Sequence, residues 1–361
     1  MNVKFLMYKQ PTVMILVLVV LFFSSCHTSP QKTVSLETTY LPGFTKEGKL
    51  KQLVSVDDTL KVAYVERHAL MFYNTKTHVI DSVQIDPMPL DIKNLDVIDV
   101  NTFAFSTKDS VFIYQNGHFS RLRPQLPQNV IMSNHDLFAF FPQERKLVLE
   151  VVDYNDKGKG LLENNYLYQC DYLGISTPID LIPDIEYRTY NLGGPRIYYS
   201  KFSKGLVLGM EYSQKVHKVS FSDHEVEVES ISLAGPFDAS ILFVANTDEL
   251  TDKMDNMFLR LHYNNYFGKV FYNEEKDQLI RLYDFPISDK KIDGSYLHRK
   301  NKKKGFIIQG ENKILHTLPS NRYFDRSQWY YYNNTFYYLK WNKNNMEEVY
   351  YLLDKVQIHN Y

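Results

Sequence analysis

The residue types best suited to grip a ligand gather between Tyr187 and Arg196, where two arginines and two tyrosines flank the bend Gly193-Gly194-Pro195. A guanidinium offers a planar fork of donors that matches a carboxylate or a phosphate. A tyrosine adds a stacking face and a hydroxyl. Loops held by a rigid scaffold are where such groups serve binding, so Arg188, Tyr190 and Arg196 are the candidate ligand-binding residues. The glycines also read as a plain turn. Asp153-Tyr154-Asn155-Asp156-Lys157-Gly158 begins like a calcium loop. It places Lys157 where an oxygen ligand is needed and Asn164 where a bidentate glutamate belongs, so a polar hairpin turn fits better. The eleven histidines form no HExxH or HxH pair, and there is no CxxC, so no metal site is expected. No GxSxG elbow is present, and Cys170 sits in an aromatic strand pattern that implies a buried, inert thiol. The pairs Asp57-Asp58 and Glu274-Glu275 fall at apparent turns, where solvated loop ends are the simpler reading than an acid and base acting together. No catalytic residue and no cofactor follow from these patterns.

The remaining reactive residue is Cys26. It follows a short basic start (Lys4, Lys9), an apolar run from Val13 to Phe23, and Ser24-Ser25. The run is short for a bilayer span and ends in small residues, as a cleaved signal peptide does. The segment resembles the lipobox of bacterial lipoproteins, although Phe23 stands where leucine is commoner. That resemblance implies cleavage after Ser25 and lipidation of Cys26, with residues 26–33 as a leash. Acyl chains contribute about 0.8 kcal/mol per buried methylene, and two or more hold a protein stably. An uncleaved anchor helix is the other reading. Residues 27–33 contain no acid, which favours the periplasmic side of the outer membrane over the cell surface.

Cleavage would remove Lys4 and Lys9 from the 41 basic residues and none of the 42 acids, leaving a formal charge of −3. That balance lacks the basic excess a nucleic-acid binder needs to neutralise phosphates. With Cys26 committed to lipid, Cys170 has no partner for an intramolecular disulfide, so the core alone must hold the fold.

The elements that must position any site are strands. Tyrosine (28) and phenylalanine (23) are over-used, and aromatic side chains favour strands. Residues 60–65, 68–73 and 79–85 read as three strands with a turn at 74–77. Val111-Phe112-Ile113-Tyr114 leads into Asn116-Gly117, a hairpin signal because both central residues of the favoured turn take positive φ. Similar phrases recur at 166–170, 216–221, 269–272, 306–308 and 349–352, at intervals of about 36 to 54 residues, the range of propeller arrays and also of a large sandwich.

The phrases Gly193 to Ser200, Gly268 to Asn273, Leu279 to Ile287 and Gly305 to Gln309, with the aromatic end strands, resemble an uncharacterised family of Bacteroides-type lipoproteins, a domain of unknown function read as a TolB-like six-bladed β-propeller. The resemblance spans most of the mature chain and implies a fold, not an activity. An all-β, single-propeller domain over 34–361 is therefore expected, with six blades of roughly 55 residues and seven as the alternative. Six is preferred because the phrases at Tyr272 and Ile308 are close enough to share a blade. Closure requires the strand from Val34 to Thr39 to pair beside the last strands, 349–358, which hides both edges.

Two further clusters have plain readings. His298 to Lys304 could touch lipid phosphates but reads as a solvated loop before a strand starting at Gly305. The rings of 329–332 and 336–341 could stack on a sugar or peptide but read as filler between blades. The chain as a whole reads as an extracytoplasmic, lipid-anchored binding module for a protein or peptide partner. Two alternatives stay open: an enzyme of hydrolase or lyase type with a site assembled in the central channel, and a structural envelope component.

Overall fold

A computed structural model describes residues 34–42, 44, 49–86, 91–133, 137–153, 166–181, 197–210, 213–222, 225–233, 266–286, 302–310, 315–318, 329–343 and 349–358. Every regular element among them is a strand. β1 (Val34–Leu41) precedes five consecutive meanders. The first blade is β2 (Lys49–Val56), β3 (Thr59–Glu66), β4 (Ala69–Asn74) and β5 (Ile80–Gln84). The second is β6 (Asn94–Asp99), β7 (Thr102–Ser106), β8 (Val111–Gln115) and β9 (His118–Leu122). In the third, the innermost strand is split into β10 (Val130–Met132) and β11 (Phe138–Phe141), both paired with β12 (Lys146–Asp153), followed by β13 (Leu167–Asp171) and β14 (Ser176–Pro178). The fourth is β15 (Ile197–Phe202), β16 (Gly205–Met210), β17 (Lys215–Phe221) and β18 (Val226–Ser232). The fifth is β19 (Tyr266–Asn273), β20 (Gln278–Pro286), β21 (Lys302–Ile308) and β22 (Leu315–Thr317).

The sixth blade joins both ends of the described chain. β23 (Trp329–Tyr332), β24 (Thr335–Lys343) and β25 (Val349–Ile358) form its inner three strands, and β1 completes it from outside. The register runs without a break from Val34 opposite Ile358 to Leu41 opposite Tyr351. The structure is thus a six-bladed β-propeller closed by its first strand, as the sequence implies. Tyr272 and Ile308 do share the fifth blade, which removes the seventh.

Alternation explains why the blades stack. Successive side chains of a strand point to opposite faces, and here each face meets a neighbouring blade. In β3, Val62 and Tyr64 pack toward the sixth blade, whereas Ala63 and Val65 pack toward the second. In β11, Phe138 and Phe140 face the second blade, while Ala139 and Phe141 face the fourth. Six apolar clusters result, one at each boundary between blades. Middle strands are accordingly buried on both faces, as in β16, whereas outer strands such as β5 are largely exposed. Two-residue turns link many strands, with both central φ angles positive at Asp57-Asp58, Asn116-Gly117 and Asn333-Asn334. Asparagine, aspartate and glycine tolerate that region, which sets the hairpin register.

One expectation needs correcting. The basic run is not a loop up to Gly305: β21 begins at Lys302, and Lys304 lies opposite Asp284 in β20 with its Nζ 3.0 Å from the carboxylate. Both residues are buried, so strand pairing outweighs the charge of the segment. Residues 298–301 lie outside the described residues.

Candidate functional site

The six innermost strands surround a channel. Each is paired on one side only, which leaves an edge of backbone N–H and C=O groups that must find partners. Side chains of the adjoining blades supply them. Gln52 donates to Asp96 at 3.2 Å and accepts from the Val97 N–H at 3.1 Å, joining the first blade to the second. Asp96 accepts from the Phe140 N–H at 2.6 Å, and Asn94 donates to the Ser133 carbonyl, joining the second to the third. Tyr199 donates to the Phe138 carbonyl at 2.7 Å from the fourth blade. Ser200 donates to the Val270 carbonyl, and the Ser203 N–H donates to Glu274 at 2.9 Å, across to the fifth. Asn273 donates to Asn334 at 2.8 Å, and Asn334 donates to Glu275. Finally the Ser55 N–H donates to the Tyr330 hydroxyl at 3.2 Å, and Tyr332 donates to Asp58 at 2.9 Å, which returns the circuit to the first blade.

Asp96 is the hub. Its carboxylate is 2% exposed and takes donors from three other blades: Gln52, the Phe140 N–H, and Lys201, whose Nζ stands 2.6 Å away and also reaches the Phe140 carbonyl. A carboxylate so satisfied is held as an ionic strut across the channel. Tyr330 is the aromatic counterpart. Burial pushes its hydroxyl up to about 12, with the nearby Tyr332 and Asp96 adding to the rise and the Ser55 bond opposing it.

Between these struts lies a cavity of about 790 Å³. Its wall mixes rings (Tyr198, Phe271, Trp329, Tyr330, Tyr331, Tyr332), amides (Gln52, Asn94, Asn273, Asn334) and charges (Lys51, Lys93, Lys201, Lys269, Asp96, Glu274, Glu275). That volume and that mixture suit a small polar ligand or a short peptide segment. The aromatic end strands are therefore more than filler. Trp329, Phe336 and Tyr338 are buried between blades, whereas Tyr330, Tyr331 and Tyr332 are half-buried and line the cavity. Among the described residues, no group of three or more histidines, cysteines or carboxylates is placed to hold a metal ion.

No family profile and no curated protein matches the chain. Solved structures do. A member of the DUF4221 family from Bacteroides vulgatus superposes with a TM-score of 0.60 at 12% identity, over 91% of this chain and 99% of that one. The likeness is one of fold. Weaker matches are a protein of unknown function from Dyadobacter fermentans, with a TM-score of 0.45 at 7% identity over 90% of this chain and 99% of that one, and a luciferin-regenerating enzyme, with a TM-score of 0.44 at 9% identity over 90% and 96%.

The residues singled out in the sequence are not the ones the structure brings together. Cys26, Arg188, Tyr190 and Arg196 lie outside the described residues, as does the acidic segment beyond Asp153. Ile197, the first described residue after Arg196, lines the cavity. Cys170 is fully buried, and burial pushes its thiol up, which suits packing rather than reaction. Asp96 and Lys201 escaped notice because 105 residues separate them, and only the closed ring makes them partners. Gly268, inside a strand pattern, was the available signal for an irregular inner strand beside Lys269.

Proposed function

We propose that this protein is a lipid-anchored, TolB-like propeller of the cell envelope, tethered through Cys26 on the periplasmic side of the outer membrane, and that it binds a protein or peptide partner at the mouth of its central cavity. The observation that carries the binding reading is the state of the cavity's carboxylates. Asp96, Glu274 and Glu275 are engaged in bonds that join blades, which supports a scaffolding role for them around the cavity. The anchoring reading is supported by the signal segment before Cys26 and by the acid-free leash of residues 27–33. Arg188, Tyr190 and Arg196 precede the cavity-lining start of β15 in sequence and are proposed to contribute to the same mouth.

The test is a crosslinking pulldown of the natively lipidated protein from intact cells. A single stoichiometric protein partner, reduced when Arg188 and Arg196 are both changed to glutamine, supports the reading; an empty pulldown removes it. Cys26→Ser separately tests the anchor. The variant should leave the membrane fraction, and retention there would discard lipidation.

A further inference from the structure

Three of the inner strands carry a one-residue register shift: β6 at Ile98, and β2 and β19, which share a lysine at the shift. In β2, Leu50 and Lys51 together face the single residue Tyr64 of β3, between the pairs Lys49–Val65 and Gln52–Ala63. In β19, Gly268 and Lys269 together face Leu282 of β20, between Phe267–Tyr283 and Val270–Arg281. Each is a β-bulge, a device that re-aims a side chain and recurs beside binding sites. At the first of them Leu50 is held at φ 51°, a left-handed conformation that a leucine adopts only at a cost in strain. In both bulges the second residue is a lysine, and both lysines line the central cavity. They belong to the first and fifth blades and so flank the sixth, whose aromatic strand β23 lies between them.

A third lysine of the wall, Lys93, lies just before β6, near the same end of the channel, with Asp91 2.6 Å away at the surface. Lys51 is half-buried over the Tyr351 ring, 5.3 Å from its centroid, and burial pulls its pKa down. The inner strands run from these lysines toward turns that carry Asp57, Asp58, Glu274, Glu275 and Asp277 together with Lys204 and Lys276.

We infer that the lysine end of the cavity, formed by Lys51, Lys93 and Lys269, takes the carboxylates of an acidic peptide segment. This rests on the binding-module reading and names the chemistry of its ligand. Three ammonium groups supply point charges without a rigid fork, which suits flexible side-chain carboxylates presented one at a time. The half-buried tyrosines of β23 would flank the peptide backbone between them.

The experiment measures fluorescence anisotropy of labelled hexaglutamate, hexaglutamine and hexalysine with the full mature protein. Hexaglutamate should bind at least tenfold more tightly than hexaglutamine, with an affinity that falls as salt rises to about 0.2 M. Lys51→Gln and Lys269→Gln should each weaken it by about tenfold, in line with the loss of one charge-assisted hydrogen bond. Lys51→Arg, which keeps the charge, should retain most of the binding, and Lys204→Gln, at the opposite turns, should change nothing. Equal binding of hexaglutamine, preference for hexalysine, or indifference to both lysine variants would overturn the inference. Citrate that matches the peptide carboxylate for carboxylate would reassign the site to free acids and overturn the peptide assignment. A protein partner that engages through a neutral or basic segment sinks this inference alone, whereas an empty pulldown sinks the binding reading beneath it.

Discussion

Thr38 Oγ1 donates a 2.6 Å hydrogen bond to Asp354 Oδ1, joining the first strand to the last across 316 residues of chain. Asp354 is fully buried, and Lys340 Nζ lies 2.5 Å from its other oxygen. Thr38→Val should cost about 1.5–3 kcal/mol, the worth of a hydrogen bond to a charged group. Asp354→Ala should cost about 3–5 kcal/mol because it strands Lys340. Urea denaturation checks both, and midpoints equal to wild type would show that strand pairing alone seals the ring.

Asp96 should be the most sensitive residue of the channel. Asp96→Ala removes the acceptor of the Phe140 N–H and the partner of Lys201, with an expected loss of about 3–5 kcal/mol. Adding Lys201→Met should recover part of that loss, since the unpaired cation disappears with it. A double-mutant cycle reads the coupling, expected between about 0.5 and 3 kcal/mol. Strict additivity would mean that the two side chains act independently.

Gly209 is a glycine for want of space. A Cβ there would come within 2.7 Å of the Nη2 of Arg281. That guanidinium is fully buried and pinned by the carbonyls of Ser213 and Met210, both at 2.7 Å, with Phe267 4.5 Å beneath it. Gly209→Ala should therefore cost about 1–3 kcal/mol through overpacking. The same change in an Arg281→Met background should cost much less, and thermal unfolding of the four proteins decides the point.

Tyrosines packed between blades set an alkaline limit. Burial pushes Tyr64, Tyr172 and Tyr330 up to about 12, against an ordinary value of 10. The unfolded chain therefore releases these protons first, and the native state keeps them. Their contribution to stability is complete below about pH 10 and disappears as the pH rises from about 10 to about 12. Tyrosinate absorbance should rise together with unfolding over that window. A gradual rise at lower pH, with the fold intact, would show the hydroxyls to be accessible.

How much of this was legible in the sequence depends on the range of the interaction. The Asn116-Gly117 hairpin, the position of the carboxylate pairs at turns and the burial of Cys170 each follow from a few neighbouring residues, and they stand as read. The closing pair of strands was also foreseeable, because a ring must hide its edges. The channel was not, since its wall draws residues from all six blades, which are far apart in sequence. Lys304 misled for a related reason: as one of a basic run it looked solvated, and only its register against Asp284 buries it.

The strand that completes the sixth blade is made first and used last. While the chain is being synthesised, β1 has no partner until residues 349–358 emerge, so the earlier blades can assemble while their ring stays open. The final contact has the largest sequence separation in the molecule's closure and so the slowest search. A nascent chain thus carries its own timer, in which sealing reports that β25 has arrived. A chain cut short before Val349 would leave β1 unpaired and β24 with an exposed edge, open to pairing with a neighbour or to a protease.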